Sequence, residues 1–324
     1  MSVDTDLLVG SRRREGRAEG VAEEFLTPSL GGGTTVAVVA RPLGPAKPVG
    51  WVVCPSFAME QIHLGRMEVV MARVLAAAGF PVLRYHGQGY GDSQAEGAAS
   101  EIGLASHLGE AADAIALMAG QEGVSAVGVL GIRFGAMVAA LAADRDRLPF
   151  MALWEPVVKG AAFARDFLRS EAFYEMARAG ADGPGGSQVE RLRADLETKG
   201  WADVKGFALR RTAHDEIAAV DLTADLRRFD GSALVGTISR SGSPASGPTK
   251  LAEHLRSLGA RCATESIQDP LPIPLGQYHY SDEGSGKVKA DTQFGLARSV
   301  AEATARWVLA ETAERANGDG AQEG

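Results

Sequence analysis

Short runs of apolar, often β-branched residues alternate along this chain with longer segments of helical spacing. The run at 50–54 (GWVVC) is apolar throughout and ends at Pro55, which is typical of a parallel strand buried on both faces. Similar runs recur later in the chain, at 80–85, 124–130, 150–154, 232–238 and 261–267. This alternation predicts an α/β fold with a mostly parallel sheet and helices on both of its faces.

Two more strands are predicted ahead of this series. Residues 24–27 and 34–40 have strand-like composition, and Gly31, Gly32 and Gly33 lie between them. A turn with positive φ costs little at glycine, so we expect an antiparallel hairpin at the edge of the sheet. The sheet would then hold about eight strands.

The chain is predicted to form one large folded unit with an insertion. Residues 1–22 and 313–324 are rich in glycine and charged residues without a period, and we expect both ends to be disordered. The core is predicted at 23–158 and 229–312. Between these two parts, 159–228 is charged helical sequence that is too long for an ordinary connection, so it predicts a helical cap.

Composition excludes several classes of partner. The chain has 33 Lys and Arg against 41 Asp and Glu, a net charge of -8, so we do not expect nucleic acid binding. No apolar stretch approaches the roughly 20 residues that cross a bilayer, so we expect no membrane span and a cytoplasmic location. Cys54 and Cys262 are too few for a disulfide scaffold. The oligomeric state stays open, and a homodimer is compatible with the sequence.

The order of the motifs resembles that of α/β-hydrolases. Successive strands lead into CPSFAME at 54–60, RYHGQGYGDS at 84–93, GIRFG at 131–135 and WEPVVKG at 154–160. These four motifs are similar to those of hydrolases associated with exosortase systems, a serine-aminopeptidase-like branch of the superfamily. The resemblance covers most of 23–310 and implies an α/β-hydrolase sheet of about eight mostly parallel strands.

The resemblance also implies that GIRFG is the sharp strand-to-helix turn, G-x-S-x-G, at which relatives hold a serine nucleophile. Gly131 and Gly135 are kept, but the residue at the tip is Arg133. A guanidinium stays protonated and cannot accept an acyl group as a serine hydroxyl does. The usual serine mechanism is therefore excluded at this turn. The resemblance implies that some members of the branch also carry arginine in place of the serine.

The other two members of the catalytic triad are also altered. In the family, the acid follows the seventh strand, but residues 239–248 contain no carboxylate. The resemblance makes Glu155, after the sixth strand, the substitute acid, and His279, in a long loop after the eighth strand, the histidine. By the same resemblance, Ser56 and Phe57 are the residues aligned with the oxyanion-hole donor.

Two arrangements are open for Arg133. The residue would lie at the N-terminus of a predicted helix that begins at Phe134, where free N–H groups favour anions, so it could orient a carboxylate or phosphate. Alternatively, Arg133 forms an internal salt bridge with Glu60 or Glu155 that closes the old active site.

Other residues capable of chemistry have simpler interpretations. Asp92 and Ser93 are predicted to tie the turn after the fourth strand by hydrogen bonds to its backbone. Cys54 is unsuited as a replacement nucleophile because burial raises the pKa of a thiol. Three histidines lie in helical segments without a companion at metal-ligand spacing: His107, His214 and His254. No metal site is expected, and the aromatic residues of the cap indicate packing and not a cofactor site, so no cofactor is expected.

Two functions follow. In the first, the protein is an atypical hydrolase of an ester, amide or thioester in a small organic substrate. Arg133 orients an anionic group, loop N–H groups polarise the carbonyl, and His279 aided by Glu155 activates water. In the second, the protein is a catalytically silent pseudoenzyme that binds an acidic ligand or a protein partner. In both, the expected small-molecule partner carries an acyl or carboxylate group, and the fold does not decide between them.

Overall fold

The computed structural model describes residues 12–16, 20–91, 93, 102–179, 185–269 and 289–320. The strands in these ranges are β1 (Arg12–Gly16), β2 (Val21–Leu26), β3 (Ser29–Leu30), β4 (Gly33–Thr34), β5 (Ala37–Pro42), β6 (Val49–Cys54), β7 (Val82–Tyr85), β8 (Ala126–Ile132), β9 (Phe150–Trp154), β10 (Trp201–Val204), β11 (Phe207–Arg210), β12 (Ser232–Ser239) and β13 (Arg261–Gln268).

The helices of the same ranges follow most of the strands of the parallel series. They are α1 (Met59–Ala77), α2 (Leu104–Ala119), α3 (Phe134–Asp146), α4 (Gly160–Ala179), α5 (Gly185–Lys199), α6 (Arg211–Ala219), α7 (Leu222–Asp225), α8 (Ser246–Ser257) and α9 (Lys289–Gly320). None of the helices described is both long enough and apolar enough to span a membrane.

One sheet of nine strands organises the molecule, in the order β1-β2-β5-β7-β6-β8-β9-β12-β13. The strands from β7 to β13 in this order pair in parallel, whereas β1, β2 and β5 pair antiparallel. The predicted α/β fold and its mostly parallel sheet are therefore confirmed. The predicted antiparallel pair at the start is β2 with β5, but β1 and not this pair forms the edge.

Both ends carry more regular structure than the sequence predicted. Strand β1 lies within 1–22, which was expected to be disordered, and it pairs with β2 from Arg12 opposite Phe25 to Gly16 opposite Val21. Its residues RRREG have no apolar pattern because the strand is held by backbone hydrogen bonds at a sheet edge. Helix α9 runs past residue 312 because the sequence AETAERA at 310–316 is rich in strong helix formers.

Two hydrophobic cores cover the two faces of the sheet. On one face, α1 and α9 pack over Trp51, Trp154 and their neighbours, and the buried indole Nε1 of Trp154 donates to Thr304 Oγ1 at 2.9 Å. On the other face, α2, α3 and α8 cover the alternate strand residues.

The segment between β9 and β12, hereafter the insertion, holds α4 to α7 and a hairpin of β10 with β11. Its two ends meet at a bridge between Lys159 and Asp221. The sequence predicted only helices here. The hairpin turn places Lys205 and Gly206 in the left-handed region, at φ 55° and 81°, and the Gly206 N–H donates to Asp203 Oδ1 at 2.7 Å. Positive φ at both central residues is typical of a two-residue hairpin turn, and a lysine at the first of them departs from the usual asparagine, aspartate or glycine.

Candidate functional site

The chain makes a sharp bend at Arg133, where β8 passes into α3. Two glycines make this bend sterically feasible. A Cβ atom at Gly131 would lie 2.2 Å from the carbonyl carbon of Gly135, and one at Gly135 would lie 2.3 Å from the backbone oxygen of Cys54. Both distances are far below van der Waals contact, so no other residue fits at either position. This close approach explains why the sharp turn between the strand and the helix needs both glycines.

Arg133 itself adopts an unfavourable backbone conformation, with φ 57° and ψ -119°. Such a conformation costs an L-residue on the order of 1 to 3 kcal/mol and persists only where its surroundings hold it. The Arg133 N–H donates to the backbone oxygen of Trp154 at 2.9 Å. Ser56 Oγ donates to the Ile132 oxygen at 2.5 Å and accepts the Gly135 N–H at 3.4 Å. The buried Ser56 hydroxyl therefore fastens the loop after β6 to the bend.

Arg133 forms an ion pair with Glu60. The Nε atom of Arg133 lies 3.2 Å from Glu60 Oε1, and the backbone N–H of Phe134 donates to Glu60 Oε2 at 3.4 Å. The Glu60 carboxylate therefore joins the guanidinium to the N-terminus of α3, where both the dipole and the free N–H favour an anion. Of the two internal partners predicted for Arg133, the structure selects Glu60.

Glu60 reaches this position because it lies in the first turn of α1, which starts at Met59. The residue before the helix, Ala58, has φ 51° and provides no side-chain cap, so the sequence lacked the usual Ser, Thr, Asp or Asn signal of a helix start.

The ion pair with Glu60 uses only part of the hydrogen-bonding capacity of the Arg133 guanidinium. Burial raises the pKa of Glu60 above its usual value, while the charge and hydrogen bond of Arg133 and the Phe134 N–H act in the opposite direction. A guanidinium carries five N–H donors, and only the one on Nε is used here. The two Nη atoms of Arg133 make no hydrogen bond or ion pair with any residue that the structure describes. Four N–H donors of the cation thus have no acceptor in the described part of the chain.

Glu155, the predicted substitute acid, lies directly after β9 with φ 47°. Its carboxylate accepts the backbone N–H of Ile238 at 2.6 Å, and its own N–H donates to Gly236 O at 2.9 Å. Burial raises the pKa of Glu155, and the Ile238 hydrogen bond and the charge of Arg133 oppose this rise. The carboxylate therefore feels the charge of Arg133, but the hydrogen bond that it accepts comes from the backbone of β12.

The loop after β6 contains the predicted oxyanion donors Ser56 and Phe57. The backbone N–H of Ser56 hydrogen-bonds to Glu68, whose pKa burial nevertheless raises to about 7. Ser56 is thereby engaged by both its side chain and its backbone. The Phe57 N–H has no acceptor within the described part of the chain, so it is the free donor of this pair.

Two neighbouring backbone donors are already occupied. The Ala58 N–H donates to Tyr90 Oη at 2.7 Å, and the Phe134 N–H is bound by Glu60. Phe134 directly follows the bend, and in hydrolases of this fold the residue after the nucleophile donates its N–H to the oxyanion. In this chain the corresponding N–H is bound by Glu60.

Aromatic rings from the insertion pack over the bend. The rings of Phe57 and Phe134 are 5.1 Å apart between centroids, and Phe207 lies 5.0 Å from Phe57. Phe163 lies 5.7 Å from Phe134 and stacks near Phe167. These five rings, hereafter the aromatic cluster, join the insertion to the core, in agreement with the packing role expected for the aromatic residues of the cap.

His107 is a residue near the site that sequence reasoning undervalued. It lies on the buried face of α2, with its ring 5.2 Å from that of Phe134 and 5.9 Å from that of Phe57. Its Nδ1 atom is 2.7 Å from the oxygen of Gly103, and burial lowers the pKa of His107 to about 4. The imidazole is therefore neutral near pH 7. Its helical spacing with Ala111 and Ala114 was the signal that it faces the core.

The remaining predicted residues divide into two groups. Burial raises the pKa of Cys54 to about 12, so its thiolate is not accessible near neutral pH. Ser93 Oγ accepts the Tyr90 N–H at 3.1 Å and so ties the turn after β7, as predicted. Asp92 and His279 lie outside the described residues. Among the described residues, no group of three His, Cys, Asp or Glu side chains is arranged to hold a metal ion.

No protein-family model and no curated protein matches this chain. Solved structures do match. The esterase Est1E from Butyrivibrio proteoclasticus with bound ferulic acid has a TM-score of 0.58 at 16% identity, covering 87% of this chain and 97% of the esterase. Brefeldin A esterase, a bacterial homologue of human hormone sensitive lipase, has a TM-score of 0.53 at 18% identity over 98% and 80% of the two chains.

A third structure extends the pattern. EstE1, a thermophilic carboxylesterase cloned from a metagenomic library, has a TM-score of 0.52 at 14% identity and covers 93% of this chain and 92% of its own. Identities this low establish shared architecture and leave the chemistry open. The sheet order, the bend between β8 and α3 and these similarities show that the chain has the α/β-hydrolase fold.

Proposed function

We propose that this chain is a catalytically silent protein of the α/β-hydrolase fold that binds a small carboxylate-bearing ligand at Arg133. One observation carries the proposal: the Glu60 carboxylate is held by Arg133 Nε and by the Phe134 N–H at the N-terminus of α3. The bend therefore has donors that suit a carboxylate. The internal carboxylate of Glu60 uses two of them, Arg133 Nε and the Phe134 N–H.

Carboxylate recognition suits this chemistry. A guanidinium binds carboxylate through pairs of parallel N–H donors, and a helix N-terminus adds backbone donors and a favourable dipole. The Nη atoms of Arg133 provide the pair, because Glu60 uses only Nε. We infer that a ligand carboxylate binds these donors and replaces Glu60 at the Phe134 N–H. The aromatic cluster beside the bend would pack against an apolar part of the ligand.

The absence of acyl transfer follows from the residues at the bend. Arg133 carries no hydroxyl, the Cys54 thiol has a pKa near 12, and the Phe134 N–H is bound by Glu60. An acyl-enzyme would need a nucleophile that these positions lack. The proposed placement in the exosortase-associated branch rests on the four sequence motifs alone. An arginine at the tip of the bend agrees with that placement.

A second candidate is an atypical hydrolase that activates water. Burial raises the pKa of Glu155, a carboxyl group that also feels the charge of Arg133. An acid with a raised pKa is a suitable proton donor or acceptor. The free Phe57 N–H would polarise the carbonyl, and His279 would assist Glu155. The same fold in three esterases is compatible with this candidate.

One set of measurements separates the two candidates. Butyrate binding is measured by ligand-observed NMR for the wild type, Arg133→Ala and the control Arg191→Ala, an exposed residue of α5. We expect wild type and Arg191→Ala to bind equally and Arg133→Ala to bind at least about tenfold more weakly, the loss of one charge-assisted pair. Equal binding by Arg133→Ala would reject the ligand-binding proposal.

Turnover is measured in parallel with p-nitrophenyl butyrate. We expect no hydrolysis above the rate in buffer and no labelling of residue 133 by a fluorophosphonate. Hydrolysis that is lost in both Glu155→Gln and His279→Ala would establish the second candidate and reject the silent assignment.

A further inference from the structure

A second polar site lies in the insertion, away from the bend. Helices α4, α5 and α6 line an open cleft of about 600 Å³. Small-molecule sites in proteins fall in the range of about 300 to 1,000 Å³, so this cleft is large enough for a small organic ligand. On α4, Phe163 and Phe167 belong to the aromatic cluster, whereas Arg165 and Leu168 line the cleft. One helix thus separates the two sites.

Three guanidinium groups line the cleft, one from each helix: Arg165, Arg193 and Arg211. Arg165 has a carboxylate neighbour, with its Nε 3.4 Å from Asp166 Oδ1. Arg193 and Arg211 form no ion pair or side-chain hydrogen bond with any described residue. Two cations from different helices therefore line one cleft without an ion pair to any described carboxylate.

The cleft also contains two acidic residues and a histidine. Asp215 Oδ1 lies 2.9 Å from Nδ1 of His214, and Glu197 is exposed without an ion pair among the described residues. Neither carboxylate forms an ion pair with Arg193 or Arg211 among the described residues, so both guanidinium groups keep their donors for another anion. Arg211 is also the first residue of α6, the end of a helix at which the dipole favours an anion.

The floor of the cleft is apolar. Ala164, Leu168 and Leu196 are buried and belong to the lining. An apolar floor beside the unpaired guanidinium groups of Arg193 and Arg211 matches a ligand that has an anionic group at one end and a hydrocarbon or ring at the other. Inorganic anions alone would leave this floor uncovered.

We propose that the cleft binds a small organic phosphate, with its phosphate on Arg193 and Arg211 and its apolar part on the floor. A phosphate monoester carries close to two negative charges near neutral pH, which matches two unpaired guanidinium groups better than a single carboxylate does. This site is separate from Arg133, so the inference goes beyond the proposed function and does not depend on it.

The test is calorimetric titration of the full chain with phenyl phosphate, with inorganic phosphate and phenol as the two halves of the probe. We expect phenyl phosphate to bind at least about tenfold more tightly than either half. Arg193→Ala combined with Arg211→Ala should weaken phenyl phosphate binding at least tenfold, whereas Arg191→Ala and Arg133→Ala should change it less than about twofold. Both cleft arginines are exposed, and equal far-UV circular dichroism would show that the variant folds.

A second variant keeps the proposal testable if the alanine pair misfolds. Arg193→Lys with Arg211→Lys retains the charge but removes the guanidinium fork, and we expect an intermediate loss of affinity. No measurable binding of phenyl phosphate, or equal binding by the wild type and the arginine double variant, would overturn the proposal. A loss in Arg133→Ala as large as in the double variant would place the phosphate at the bend and overturn it as well.

Discussion

The Nε atom of Arg133 lies 3.2 Å from Oε1 of Glu60, and each side chain is 14% exposed. The second oxygen of the same carboxylate accepts the first N–H of α3. A cation at the tip of the bend and an anion from the first turn of α1 therefore meet at the position that holds the nucleophile in hydrolases of this fold. The proposed absence of acyl transfer and the proposed carboxylate site both rest on this ion pair.

Removal of Arg133 should destabilise the protein through Glu60. In Arg133→Ala the buried carboxylate loses its counter-ion, and we expect a loss of about 3 kcal/mol in the free energy of unfolding. Adding Glu60→Gln should restore part of this loss because the uncompensated charge is then absent. Urea denaturation of the four proteins in this double-mutant cycle measures the coupling.

Arg191→Ala is the control for this cycle, and it should change stability by less than about 0.5 kcal/mol because its side chain is exposed. Additive effects of the Arg133 and Glu60 changes would contradict the ion pair.

The glycines of the bend should be intolerant of any side chain. Gly135→Ala places a Cβ atom 2.3 Å from the backbone oxygen of Cys54. The position of a Cβ atom is fixed by its own backbone, so neither atom can rotate away from the other. We expect a loss of more than about 3 kcal/mol or no folded protein. Gly65→Ala, in α1 with open space around it, should instead stabilise the helix by about 0.5 to 1 kcal/mol. Thermal unfolding of the two variants tests this contrast, and similar midpoints would refute it.

Glu110 should make stability fall as the pH rises. It is buried, accepts the Gln88 N–H at 3.0 Å, and burial raises its pKa from 4.5 to about 7. Between these two values the folded state holds the proton more tightly than the unfolded chain, so the contribution of Glu110 to stability is present below this window and is lost as the pH rises through it.

The variant Glu110→Gln keeps the acceptor for Gln88 and removes the titration. Relative to wild type, its free energy of unfolding should rise by on the order of 3 kcal/mol between about pH 5 and pH 8. The matched control is Glu253→Gln, at an exposed position on α8. A stability difference between Glu110→Gln and wild type that stays constant over this range would show that Glu110 is ionised throughout.

The sequence predicted the parallel strands because strands buried on both faces read as apolar runs, as in β6 and β8. The bend was predicted through the resemblance of GIRFG to the strand-to-helix turn of α/β-hydrolases, and the structure shows at Gly131 and Gly135 the close approach that only glycine permits. The strands are local features, so periodicity and residue type were sufficient to find them.

The choice of Glu60 over Glu155 as the partner of Arg133 could not be predicted. It depends on α1 beginning at Met59 without a capping side chain and on Glu155 being held by the backbone of Ile238. Both are consequences of how distant segments pack. The β10–β11 hairpin was missed for another reason: its strands are four residues each within a charged segment of predominantly helical spacing.

The most direct test of the account is the affinity for butyrate of Glu60→Gln compared with wild type as the pH is varied. Because burial raises the pKa of Glu60, this competitor should take up a proton more readily than an exposed carboxylate as the pH is lowered from about 8, and binding in wild type should then tighten. Glu60→Gln should bind at least about tenfold more tightly than wild type near pH 8 and show little dependence on pH. Equal affinities of the two proteins, unchanged as the pH is lowered, would contradict the account.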